Sequence, residues 1–186
     1  HHDGGYVIVD LPGEYDLFLA GGISGDISFE NAILSLFPKL KCLAFDGTIK
    51  QLPKNANHSI TFVKKNLGSK NTERLTDLQE YMHDANNIFV KIDIEGHEFR
   101  LLPTLFTSGY INKIKQLVVE IHSPADIHMY PGYFSGLSDI HNSDMFELFR
   151  NLNTTHTLVH FHANNGPKIT TIDNIQIPVS YTHLRA

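Results

Sequence analysis

Asp16-Leu17-Phe18-Leu19-Ala20-Gly21-Gly22-Ile23-Ser24-Gly25-Asp26 is the stretch from which the fold can be read. Its first half is a mostly apolar run ending in glycine, as a central strand buried on both faces requires. Beyond the glycines, Phe29, Ala32, Ile33, Leu36 and Phe37 fall at the spacing of an amphipathic helix, and Pro38 stops it. A strand followed by a tight turn and a helix is the repeating unit of a parallel sheet with crossover helices.

The same alternation continues outward. Tyr6-Val7-Ile8-Val9 reads as a short strand before Pro12-Gly13. Cys42-Leu43-Ala44-Phe45 is a strand ending at Asp46, and Ser59-Ile60-Thr61-Phe62-Val63 is another. Thr76 and Gln79 have capping-box spacing ahead of a short helix whose apolar face is Leu78 and Met82. Ile88-Phe89-Val90-Lys91-Ile92 and Gln116-Leu117-Val118-Val119-Glu120-Ile121-His122 are the fourth and fifth strands. In the crossover between them Pro103 is expected to end one helical turn and begin another, with Gly109 closing the element. Ser123 to Ile140 reads as one long irregular loop, a length that marks function or mobility. Ser143 then caps a helix that buries Met145, Phe146, Phe149 and Leu152. Thr157–His162 and Ile175–Val179 are expected to pair as an antiparallel edge.

The 186 residues suit one domain, assigned to residues 1–178. The tail 179–186 resembles translated adaptor read-through, and both ends look cut. With 15 Lys and Arg against 20 Asp and Glu, the net charge is −5. That offers no broad basic footprint for nucleic acid or anionic lipid. No apolar run reaches the roughly 18 residues of a membrane span. The one cysteine, Cys42, can form no internal disulfide, and the default compartment is cytoplasmic. Oligomeric state is not legible in the sequence.

Chemistry-bearing residues collect at strand ends. Gly21 and Gly22, with Ser24, Gly25 and Asp26 after them, let backbone approach a ligand at a helix N-terminus. Asp46 follows Gly25 by 21 residues, at the end of the next strand, where an acidic side chain meets ribose hydroxyls in nucleotide-type folds. Asp93 and Glu95 close the fourth strand, placed for a metal ion, a proton-accepting base or a cationic ligand. Glu120 and His122 share one face of the fifth, while His160, His162 and Asn164 share parity further on, with Asn165 beside them. Six of the twelve histidines fall between His122 and His162.

Taken together, these motifs resemble the FkbM-type S-adenosylmethionine-dependent methyltransferases, in the branch with an Asp-Gly-Gly-Tyr element. The matching stretches are Asp3-Gly4-Gly5-Tyr6-Val7, Gly22 to Glu30, Phe45-Asp46-Gly47-Thr48-Ile49, Ile60-Thr61-Phe62, Leu67-Gly68, Val90 to Glu98, Gln116 to His122 and His162-Ala163-Asn164-Asn165. They run in the family's order from Asp3 to about Pro178.

The resemblance implies a class I methyltransferase fold: a Rossmann-like, mostly parallel α/β sheet with helices on both faces and an antiparallel C-terminal edge strand. It implies that Gly22, Ile23, Asp26, Ser28 and Glu30 border the methionine half of the cofactor, with Gly21 beside them in the turn. Asp46 would hold the ribose, with Thr48 near it. Asp93 would face the sulfonium and take the acceptor's proton, with His122 as the second choice of base and Glu95 alongside. The acceptor, a hydroxyl on a sugar, glycan or other small molecule, would meet Glu120, His162, Asn164, Asn165 and the aromatic loop from Tyr130 to Phe134.

S-adenosylmethionine is the expected cofactor, and a divalent metal is not the favoured expectation. A metal-assisted variant would place a divalent ion on Asp93, Glu95, His122 or His162. A nicotinamide-dependent oxidoreductase and a silent cofactor-binding domain are the alternatives from other classes. The adjacent Gly21 and Gly22 break the dinucleotide fingerprint.

Overall fold

Leu17–Gly21 (β1) lies in the middle of a parallel sheet, with Phe18 and Ala20 turned to one face and Leu19 to the other, all of them buried. The structure, a computed structural model, describes residues 6–163, 169–172, 175–178 and 184–185. After β1 the chain runs through α1 (Ser28–Leu36), β2 (Cys42–Phe45), β3 (Ile60–Val63), β4 (Asn66–Leu67), β5 (Leu75–Thr76), α2 (Gln79–Met82), β6 (Ile88–Ile92) and α3 (Glu98–Thr107). A 3₁₀ turn (Tyr110–Lys113) leads into β7 (Ile114–Ile121), α4 (Pro124–Met129), α5 (Asn142–Thr155) and β8 (His162–Ala163). The last strands are β9 (Ile169–Ile172), β10 (Ile175–Pro178) and β11 (Leu184–Arg185).

The sheet order is β3-β2-β1-β6-β7-β11-β8, and its first five strands are all parallel. The sheet grows one way from β1 to β3 and the other way from β6 to β7. The carboxyl ends of β1 and β6 are therefore the switch point of the sheet, where adjoining connections depart in opposite directions and open α/β sheets gather their ligands.

Strand alternation divides the core into two layers. Ile27, Ile33 and Leu34 pack with Phe18, Ala20, Cys42, Ala44, Phe89 and Val118 on one face. Met82, Leu101, Leu102, Leu105, Leu148 and Leu152 pack with Leu19, Val90, Ile92, Val119 and Ile121 on the other. Phe89 stands edge-to-face on Phe18 at 5.1 Å and on Tyr15 at 5.3 Å, an arrangement aromatic quadrupoles favour.

Several sequence expectations are corrected. Tyr6–Val9 forms no strand. The Gln116 side-chain amide takes over the ladder's role, accepting from Val9 N at 2.8 Å and donating to Val9 O at 3.0 Å. In α1 the buried sector is Glu30, Ile33 and Leu34, so Leu36 in the last turn faces solvent. Thr76 lies in β5 and its hydroxyl accepts from Leu78 N, while Leu78 begins α2 at φ +68, so no capping box forms. Pro103 sits inside a continuous α3, whose buried Leu101, Leu102 and Leu105 outweigh one missing backbone donor. His141, not Ser143, precedes α5, and Phe146 is exposed. Ser123 caps α4 by accepting from Ala125 N, so the expected loop opens with a helix.

The antiparallel element also differs. β10 pairs with β9, two residues upstream, as a separate hairpin, because such short closure costs little entropy. The antiparallel strand of the main sheet is β11, between β7 and β8 rather than at the edge. Its residues, Leu184 and Arg185, belong to the tail that the sequence reading sets aside. Among the described residues no helix is long and apolar enough to cross a membrane.

Candidate functional site

The glycine turn after β1 is built against the end of β6. Gly22 has φ +72, and a Cβ there would lie 1.6 Å from the carbonyl oxygen of Asp93, so only glycine fits. Gly22 N donates to Phe45 O, and Asp93 N donates to Gly21 O. The turn is thus stitched to both neighbouring strands.

Asp46, buried at the end of β2, faces this turn. Its Oδ2 accepts from Ser24 N at 2.8 Å, and its Oδ1 accepts from Thr48 N at 2.7 Å and Thr48 Oγ1 at 2.6 Å. Ser24 itself holds a positive φ of 45°. A carboxylate has about four acceptor sites, so one remains for a ligand. Asp26 Oδ1 accepts from Ser28 N, which holds the Asp26 carboxyl below its ordinary range, and both residues are exposed at the start of α1. Ile23 is buried and serves the core.

Two buried ionisable groups lie beneath. Lys91 donates from Nζ to Gly22 O at 2.9 Å and stands 5.6 Å from the Tyr6 ring centroid. Glu30 is 1% exposed, and its Oε1 has no hydrogen-bond partner among the described residues. Burial pushes the Glu30 carboxyl up, and the charge of Lys91 pulls partly against that.

Asp93, Glu120 and His122 converge from β6 and β7, each offering a ligand atom within 4.8 Å of the others. The Tyr6 hydroxyl bridges two of them, 3.2 Å from Asp93 Oδ2 and 3.3 Å from Glu120 Oε2. One phenolic proton can serve only one carboxylate at a time.

His122 is fully buried, with Nε2 3.0 Å from Glu95 Oε2 and Nδ1 3.1 Å from Glu98 Oε1. Glu98 also accepts from His122 N at 2.6 Å. Burial alone would pull the imidazole down. The charges and hydrogen bonds of Glu98 and Glu95 outweigh it and hold His122 at about 10. An imidazole held protonated at neutral pH is a poor proton acceptor.

Glu95 reaches His122 through a turn rather than by strand parity, since β6 ends at Ile92. Glu95 has φ +53 and Gly96 φ +87, and a Cβ on Gly96 would meet Leu137 Cδ1 at 2.6 Å. Such left-handed backbone at a non-glycine residue costs on the order of 1–3 kcal/mol and persists only where surrounding contacts hold it. From the loop above, Phe134 stands edge-on to the His122 ring at 5.6 Å. The Tyr133 hydroxyl is pushed up to about 12 by loss of water around it and by its hydrogen bond to Glu95.

Of the residues expected in the site, Gly21, Gly22, Asp46 and Thr48 gather at the turn, and Asp93, Glu95, Glu120 and His122 at the neighbouring cluster. Tyr130 is the C-cap of α4, and the loop meets the cluster instead through Tyr133 and Phe134. His162 is placed in β8 by its backbone. Asn164, Asn165 and the Asp3-Gly4-Gly5 element lie outside the described residues.

Three participants carry no role in the sequence reading. Glu98 gives no signal beyond an acidic residue in a helix's first turn, an ordinary partner of the helix dipole. Lys91 is a lysine within the otherwise apolar β6, a signal that could have been read. Tyr6 gives none, because its site lies 87 and 114 residues away.

A separate groove of about 810 Å³ runs between Tyr6–Leu11, β7 and the end of α5. Its lining is mostly apolar and holds no carboxylate. Compared with known proteins, the chain matches no family model and has no significant match to a curated protein or a solved structure.

Proposed function

We propose that the chain is an S-adenosylmethionine-dependent O-methyltransferase acting on a hydroxyl of a sugar, glycan or other small molecule. The observation that carries this reading is the convergence of Gly22, Asp46, Asp93 and Glu120 at the carboxyl ends of β1, β2, β6 and β7, at the switch point of the sheet. The antiparallel β11, inserted between β7 and β8, supports the class I methyltransferase form of that sheet.

The donor set fits a cationic cofactor. Glu30 presents a buried carboxylate oxygen without a hydrogen-bond partner among the described residues, and Asp46 retains acceptor capacity for a ribose hydroxyl. When bound, the cofactor supplies an electrophilic methyl group.

The chain's own residues then have distinct tasks. Asp93 or Glu120 takes the proton of the acceptor hydroxyl, and Tyr6 holds these two carboxylates in register. His122, the second choice of base from the sequence, serves as a buried imidazolium that positions Glu95. Lys91 ties the Gly22 carbonyl and so fixes the turn. Alignment of acceptor and methyl group supplies much of the rate.

Calorimetric titration with S-adenosylhomocysteine and, separately, with NAD tests the reading. Binding of the first alone is expected. Binding of NAD alone would point to hydride transfer, and binding of neither would remove the cofactor reading.

A further inference from the structure

We propose that Asp93, Glu120 and His122 form a divalent-cation site in which Glu98 orients the imidazole. The metal-assisted variant in the sequence reading draws on Asp93, Glu95, His122 or His162. The structure brings Glu120 into the ligand set and puts Glu95 against the imidazole instead.

The first support is geometric. Three atoms bound about 2.1 Å from one ion lie roughly 3–3.6 Å apart, so a triad already within 4.8 Å closes with side-chain shifts of about an ångström. The second support is the ligand chemistry. Two carboxylates and one imidazole suit manganese or a similar first-row ion, and the absence of thiolate disfavours softer ions.

The third support is the surrounding shell. A metal-bound histidine almost always passes its other ring N–H to a carboxylate or carbonyl, which fixes the tautomer. Glu98 stands there, fully buried, 3.1 Å from Nδ1 and accepting from the His122 backbone as well. That leaves Nε2 to ligate: the imidazolium of the metal-free protein gives its Nε2 proton to solvent as the ion binds, and Nδ1–H stays on Glu98. The Tyr6 hydroxyl, 3.2 Å from Asp93 Oδ2 and 3.3 Å from Glu120 Oε2, donates to one of the two carboxylates at a time and keeps them close together. Glu95, half-exposed and 3.0 Å from Nε2, occupies the mouth and either joins the ion or swings out to admit it. A bound ion would make a coordinated acceptor hydroxyl more acidic. That use rests on the methyltransferase reading, whereas the site itself does not.

The test is Mn²⁺ titration of the metal-free protein without any cofactor, read by the loss of free-ion paramagnetic resonance signal. Saturable binding tighter than 100 µM (roughly the regime of a modest oxygen-rich site) is expected. Glu120→Gln and Asp93→Asn should each weaken it at least tenfold, while the exposed surface control Asp84→Asn leaves it unchanged. A further readout needs no variant: the bound Mn²⁺ should show electron spin-echo modulation from a directly coordinated imidazole nitrogen. Binding unchanged by both carboxylate variants, or bound ion without nitrogen modulation, overturns the proposal. S-adenosylhomocysteine binding without Mn²⁺ binding overturns the cation site alone. Mn²⁺ binding of the expected pattern without S-adenosylhomocysteine binding upholds the site and removes the methyl-transfer reading.

Discussion

Asp46 does two jobs that a pair of substitutions separates. Its carboxylate accepts three hydrogen bonds, from Ser24 N, Thr48 N and Thr48 Oγ1, and thereby holds the glycine turn against β2. Hydrogen bonds to a charged group contribute about 1.5–3 kcal/mol each. Ser24 and Thr48 are exposed, however, so their donors regain water when the carboxylate is removed. The expected loss for Asp46→Ala is therefore about 2–4 kcal/mol rather than the sum of three full terms. Asp46→Asn keeps one acceptor oxygen and should lose about half as much.

Urea unfolding followed by circular dichroism reads this directly. With a slope of about 2 kcal/mol per molar, Asp46→Ala should lower the midpoint by roughly 1–2 M. Calorimetry on the folded Asp46→Asn protein then reads the ribose contact, with S-adenosylhomocysteine affinity expected to fall about ten- to a hundredfold. A midpoint shift below roughly 0.3 M in Asp46→Ala would refute the structural role. Unchanged affinity in Asp46→Asn would remove Asp46 from the cofactor site.

Asp93→Asn should leave the urea midpoint and S-adenosylhomocysteine affinity near wild type while lowering methyl transfer by about 10² or more; wild-type turnover would move the proton acceptor to Glu120. Gly22→Ala, with φ +72 and its Cβ 1.6 Å from Asp93 O, should cost more than about 2 kcal/mol, and an unchanged unfolding midpoint would contradict the close approach of the turn to β6. A pH series on metal-free protein tests His122. The folded imidazole sits at about 10 and its unfolded value is about 6.5, so its stabilisation is fully present below pH 6.5 and is lost as pH rises through 10. The buried Cys42 thiol, also pushed up, adds a decline above about pH 8.5, so the diagnostic comparison is Glu98→Gln, which should start less stable and decline less between pH 7 and 10. Parallel profiles would exclude the Glu98–His122 pairing.

The five parallel strands were legible because each combines a short apolar run with a strong terminator. Leu17–Gly21 ends in glycines, Cys42–Phe45 in Asp46 and Ile88–Ile92 in Asp93, so the strand-end residues could be named with the strands. Short length and closing turn residues, more than periodicity, mark such runs as strands. The amphipathic helices were less determinate. Leu36 and Phe146 fit an apolar stripe by spacing, yet both face solvent, because which sector is buried depends on where the sheet lies. The Thr76–Gln79 spacing likewise suited a cap, until pairing with β4 drew Thr76 into a strand.

By itself the sequence determined the alternation of strands and helices, the glycine turn after β1 and the acidic residues at the ends of β2, β6 and β7. These follow from local period, turn chemistry and chain order, which need no knowledge of neighbours. Only the tertiary structure decided which of those groups meet. His122 could be a base, a ligand or a core residue until Glu95 and Glu98 closed on its two nitrogens, and that depends on a left-handed turn at Glu95 and on the docking of α3 beside β7. Tyr6 reaches Asp93 and Glu120 because Gln116 and Lys115 fasten the N-terminal segment along β7. A hydrogen bond spanning more than a hundred residues leaves no trace in local spacing. It is set by sheet order, and sheet order is fixed only when the apolar faces of every strand and helix have found their partners.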